Sequence, residues 1–225
     1  YYGEIKNQGE IDWVKVNDDQ NRSFFHGTTF GDLNNDGLLD VGGAPGQWNE
    51  SENKWSLKIF MQQQNMRFEN RDVIFDYNET GQNLPFTIGF ADLFGDKFGE
   101  IITADYGGGD PFSNPKLNRI EIFKYDSSEQ KYIQHFESSQ PTVFYSIGMG
   151  ATSIKAFDFD NDGIKDISVA REDQMGNAFE IWKGNGDGTF EPHFVSPLWS
   201  QNELQFREFL VFDANNDGYL DVVLA

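Results

Sequence analysis

Apolar and β-branched residues come in short runs separated by polar, glycine-rich breaks. Stretches 55–61 and 119–125 alternate or run apolar, as strands in packed sheets do. Polar turns follow, such as Asp126-Ser127-Ser128-Glu129 and Gly184-Asn185-Gly186-Asp187-Gly188, each leading into another strand. No stretch holds a 3.6-residue apolar period between helix caps, so the pattern predicts an all-β chain.

A repeat underlies the pattern. Four segments align without gaps, beginning at Asp32, Asp92, Asp158 and Asp213. Four positions on, Asp recurs as Asp36, Asp96, Asp162 and Asp217. The ninth position is acidic (Asp40, Glu100, Asp166, Asp221) and the tenth is Val or Ile (Val41, Ile101, Ile167, Val222). The thirteenth is Ala44, Ala104, Ala170 and Ala225. The first aspartates are 60, 66 and 55 residues apart, room for a meander of four short strands. One such sheet cannot bury both its faces, and radial stacking of copies predicts a β-propeller of four-stranded antiparallel blades. The blade-like units expected are 1–23 (outer strands of an incomplete blade), 24–85, 86–148, 149–205 and 206–225 (incomplete).

The acidic segment reads D-x-[DN]-x-D-G-x-x-D. Oxygen ligands at positions 1, 3 and 5 converge if the chain curls, and Gly37, Gly163 and Gly218 at position 6 permit the curl. A hard cation taking ~6–8 oxygens fits such a cage, and Ca²⁺ fits it better than Mg²⁺. An EF-hand begins alike, but it needs a Glu at position 12, where Gly43, Val169 and Leu224 stand. The expected ligands are therefore Asp32, Asn34, Asp36, Leu38 (by its carbonyl) and Asp40 in the first loop. In the third they are Asp158, Asp160, Asp162, Ile164 (carbonyl) and Asp166. In the fourth they are Asp213, Asn215, Asp217, Tyr219 (carbonyl) and Asp221. The second copy has Phe94 at a ligand position and Lys97 in place of glycine, so the loop from Asp92 to Glu100 is expected to be empty. Solvated Asp/Asn-Gly turns are the alternative, but carboxylates packed together repel unless a cation joins them.

Charge narrows the partners. Thirty-seven acidic residues against 17 basic give a formal charge of −20, which argues against a nucleic-acid partner, since that needs a basic face to offset phosphate, and against docking on an anionic membrane. Aromatic residues at 16 % mark a folding chain rather than an acidic disordered one. No apolar run approaches the ~20 residues of a membrane helix. Cysteine is absent, which removes disulfides and thiolate chemistry. The chain opens at Tyr1 without Met and stops within the apolar run 222–225, so it is expected to be a piece of something longer.

From about Phe24 to Ala225 the chain resembles the FG-GAP/VCBS repeat family of integrin α-subunit-like propellers. Phe30-Gly31 before the first loop, Gly43-Ala44-Pro45 after it, and the hairpin at 184–190 carry the resemblance beside the acidic loops. It implies a fragment of a larger propeller of about seven blades, with calcium loops on one face. It also implies partners on the opposite face, where Trp48, Tyr106, Asp110, Phe112, Asp173 and Trp199 are the candidate ligand-binding residues. Aromatic platforms with polar neighbours suit sugar rings or a protein hot spot, although such residues also fill gaps between sheets.

Catalytic patterns are sparse. G-x-S-x-G, H-E-x-x-H and G-x-x-x-x-G-K-[ST] do not occur, and His26, His135 and His193 occupy different parts of the repeat. The expectation is an extracellular or cell-surface module, stabilised by about three structural Ca²⁺ ions, for adhesion or recognition of glycan or protein. Neighbouring blades or domains of a parent chain are its other expected partners. A calcium-dependent polysaccharide lyase or hydrolase is one alternative, because His26 with nearby aromatics, or a carboxylate pair, could serve such chemistry. A structural spacer of a large surface protein is the other.

Overall fold

A computed structural model describes residues 2–5, 11–14, 25–49, 54–64, 67–71, 73–74, 85–105, 119–138, 150–172, 177–197, 199–200 and 206–225. Among the described residues there are strands and no helix. β1 (Tyr2–Ile5) pairs with β2 (Ile11–Val14). β3 (Gly27–Gly31), β4 (Asp40–Asn49), β5 (Lys54–Gln62) and β6 (Phe68–Asn70) bond in that order, and β7 (Val73–Ile74) also pairs with β5. Next come β8 (Pro85–Ala91), β9 (Glu100–Asp105), β10 (Ile120–Asp126) and β11 (Lys131–Glu137), again in order. β12 (Gly150–Phe157), β13 (Asp166–Glu172), β14 (Asn177–Gly184) and β15 (Phe190–Val195) repeat the meander. β16 (Phe209–Phe212) and β17 (Asp221–Leu224) form a final pair. Every pairing is antiparallel.

Apolar contacts alternate along each inner strand, because successive side chains point to opposite faces. On β9, Ile101 joins Leu33, Leu57, Ile59 and Met61 of the preceding sheet. Its neighbour Ile102 joins Ile154, Ile167, Val169 and Trp182 of the following one. On β13, Val169 enters that same cluster and Ala170 enters the next, with Phe179, Phe206 and Phe209. Each middle sheet is thus buried on both faces, which explains the fully buried run along β9.

The sheets meet closely at their first strands. A Cβ on Gly27 would lie 2.6 Å from the Thr87 Cα, and one on Gly89 would lie 3.0 Å from the Ile154 carbonyl oxygen. At Gly27 the obstacle is backbone and leaves no room for a side chain, and at Gly89 a Cβ would be tightly crowded against backbone. The repeat alanines Ala44, Ala104 and Ala170 are fully buried between sheets.

Candidate metal loops and the opposite recess

Each acidic segment joins the first strand of a sheet to the second, and all four follow one path. Position 4 is left-handed in each copy: Asn35 (φ 59°), Gly95 (70°), Asn161 (60°) and Asn216 (60°). Position 6 is left-handed too: Gly37 (83°), Lys97 (74°), Gly163 (87°) and Gly218 (90°). The first aspartate holds this curl. Asp32 accepts from the N–H groups of Asp36 (3.0 Å) and Gly37 (2.8 Å). Asp158 takes those of Asp162 and Gly163, and Asp213 those of Asp217 and Gly218. The Gly218 N–H and its neighbours keep the Asp213 carboxyl below its usual range.

The ninth-position carboxylate closes the loop from the other side. Asp40, Glu100, Asp166 and Asp221 accept from the N–H groups of Leu33, Leu93, Phe159 and Ala214 at 2.8–2.9 Å. Asp40 and Asp166 also reach the third strand, at the N–H groups of Gln62 (2.8 Å) and Gly184 (3.0 Å). One carboxylate therefore ties three strands together. Burial, reinforced by the charges of Asp36 and Asp32, raises the Asp40 pKa.

Oxygens of Asp158, Asp160 and Asp166 lie within 4.8 Å of one another, close enough to share one ion. All the donors here are carboxylate, amide or carbonyl oxygens, a set that suits a hard divalent cation and not a soft one. The third loop's residues fit such an ion, and among the described residues theirs is the one acidic group gathered this closely. In the second loop Lys124 Nζ lies 2.7 Å from Asp96 Oδ2 and 4.3 Å from the centre of the Phe94 ring. That pairing lowers the Asp96 pKa, whereas burial raises Glu100 to about 7.

At the other ends of the first strands a recess of about 590 Å³ opens, in the size range of small-ligand sites. Thr28, Thr87, Thr152 and Ser153 are among its lining residues, the Thr152 hydroxyl donating to the Ala170 carbonyl and the Ser153 hydroxyl to Glu208. His26 stacks on Phe86 at 3.8 Å on its wall. Lys155 pairs with Glu208 (2.8 Å) and Arg207 with Glu172 (2.8 Å), so its charges are largely matched within the protein.

Among the expected ligand-binding residues, Trp199 is half-buried. Its ring meets Phe206 edge-on at 5.9 Å, and its backbone pairs with Asn177. Trp48 lies on β4 opposite Trp55 in register, with its side chain outside the described part. Tyr106, Asp110, Phe112 and Asp173 lie outside the described residues. The recess residues carry no local sequence signature. They sit at matching places near the starts of β3, β8 and β12, and that correspondence was the available signal.

Residues 158–224 match the model of the FG-GAP-like repeat. That stretch contains the third and fourth acidic loops. A solved structure titled as that of the exotype rhamnogalacturonan lyase YesX is similar at 12 % identity and a TM-score of 0.45. The match covers 99 % of this chain and 40 % of that one, so this chain spans less than half of that protein. Among the described residues no helix is long and apolar enough to cross a membrane.

Proposed function

We propose that this chain is part of a calcium-stabilised β-propeller that recognises a hydroxyl-rich ligand, a glycan, outside the cell. Asp32, Asn34, Asp36 and Asp40, with the Leu38 carbonyl, would hold one ion. The matching residues of the third and fourth loops would hold two more, moving the formal charge from −20 to −14. The ions would be structural: they neutralise crowded carboxylates and lock strand-to-strand turns. Open loops of this kind bind in the weak range of about 10⁻⁴–10⁻³ M, which suits a calcium-rich extracellular setting.

The observation that carries the recognition reading is the recess at the ends of the strands away from the acidic loops. Polar side chains and internally matched charges suit neutral polar groups, and the aromatic wall of His26 and Phe86 would suit a sugar ring.

A glycan and polysaccharide array, probed in millimolar calcium and again in chelator, tests both halves. The expected result is calcium-dependent binding to a defined glycan, reduced about tenfold in His26→Ala with the melting temperature kept. Silence from a folded, calcium-loaded protein would overturn the recognition reading. It would leave a protein partner or a spacer role.

A further inference from the structure

The third strand of each four-stranded sheet passes beside its acidic loop, and one register position on that strand differs tellingly between sheets. Repeat position 10 pairs with Phe60 from Val41, with Phe123 from Ile101 and with Trp182 from Ile167. The next residue along the third strand is therefore Met61, Lys124 or Lys183 in equivalent places. Met61 is buried in the apolar cluster that also holds Leu33 of its own loop, so the first loop receives no cation from this position. Lys124 pairs with Asp96 and lies over the Phe94 ring, in the one loop that has lost a ligand and its turn glycine. Lys183 reaches two carboxylates of the complete third loop, Asp160 and Asp162, the latter at 2.8 Å.

We propose that this third-strand lysine is an in-chain counter-cation of the acidic loop, permanent in the second sheet and displaceable in the third. Calcium entering the third loop must move the Lys183 ammonium off Asp160 and Asp162, whereas calcium entering the first loop displaces nothing of this kind. The two loops share a backbone path, but the third has Asp160 where the first has Asn34, so Lys183 holds calcium affinity at the third loop below what its extra carboxylate would otherwise give. In the second sheet Lys124 supplies at Asp96 the positive charge that an ion would have supplied, with Phe94 in the ligand position. This inference rests on the calcium reading above.

The test isolates the third loop. In a chain carrying Asp36→Ala and Asp217→Ala, the third is the one acidic loop with its aspartates intact and no Phe or Lys at positions 3 and 6. Calorimetric titration with calcium chloride then compares Lys183, Lys183→Met and Lys183→Arg, with circular dichroism in chelator confirming that each is folded. Lys183→Met, which copies the first sheet and keeps the aliphatic stem, is expected to tighten binding about fivefold, since it removes two exposed ion pairs. Lys183→Arg, which keeps the charge, should stay within about twofold of the parent. An unchanged or weaker affinity in Lys183→Met overturns the competing-cation role while leaving the calcium site standing. Absence of calcium heat in all three folded chains overturns the calcium reading of this loop, and this inference with it.

Discussion

Arg171 donates from Nε to Glu180 Oε1 over 3.0 Å, and neither side chain reaches water. The other Glu180 oxygen accepts the Trp182 indole N–H at 3.1 Å, while both Nη atoms of Arg171 find no hydrogen-bond partner among the described residues. Strands β13 and β14 bring the pair together from nine residues apart. Removing one charge leaves the other stranded in a dry place, which costs more than the pair itself contributes. Arg171→Met should lower stability by about 3 kcal/mol, and the double variant Arg171→Met with Glu180→Leu should recover part of that loss. Urea unfolding of the three proteins checks it; equal midpoints for wild type and Arg171→Met would refute it.

Asp162→Asn keeps an acceptor for the Ile164 N–H, which Asp162 holds at 2.8 Å, but removes a carboxylate from the third loop. Its melting temperature should fall below wild type in millimolar calcium and match it in chelator. An equal drop in both conditions would mean that the residue matters for the turn alone and binds no ion.

Lys97 occupies a left-handed conformation, φ 74°, that its three counterparts meet with glycine. Side-chain-bearing residues are strained there, so Lys97→Gly should stabilise the chain by about 0.5–1 kcal/mol after glycine's own entropy cost. Chemical denaturation reads the gain directly, in chelator as well as in calcium.

The departure at Lys97 is visible in the sequence, and so is most of the strand pattern. Five aligned columns mark the loops, and the runs at 55–61 and 119–125 fall within or across β5 and β10. Cross-strand partners are another matter. Lys124 meets Asp96 across 28 residues and Lys183 meets Asp162 across 21. Those pairings depend on strand register, and a bulge or an extra loop residue would have sent the lysines elsewhere. The recess is hidden for the same reason: His26, Thr87 and Ser153 are brought together by sheet packing, not by spacing. Trp199 looked equally suited to solvent or core by type, and its contact with Phe206 depends on which sheet lies next to it.

Glu100 gives the protein a pH dependence of definite sign. Burial raises its pKa from 4.5 to about 7, so the folded state holds the proton more tightly than the unfolded chain does. Its contribution is therefore most favourable below about 4.5 and is lost as pH rises through about 7. Glu100→Gln keeps an acceptor for the Leu93 N–H and removes the buried charge. It should be more stable than wild type by about 1 kcal/mol at pH 8 and indistinguishable at pH 4.5. Thermal melts across that range in chelator provide the check.

The carboxylate that closes each loop holds its hydrogen bond to the position-2 N–H even in the second loop, where Phe94 stands at position 3. The polypeptide path is thus secured by bonds within the chain, and an ion would be an addition to a turn that already exists. Metal stoichiometry can then change by single-residue exchanges, one loop at a time, with neighbouring sheets undisturbed. In such a chain the architecture would not fix the ion content, and counting repeats would be no substitute for measuring bound metal.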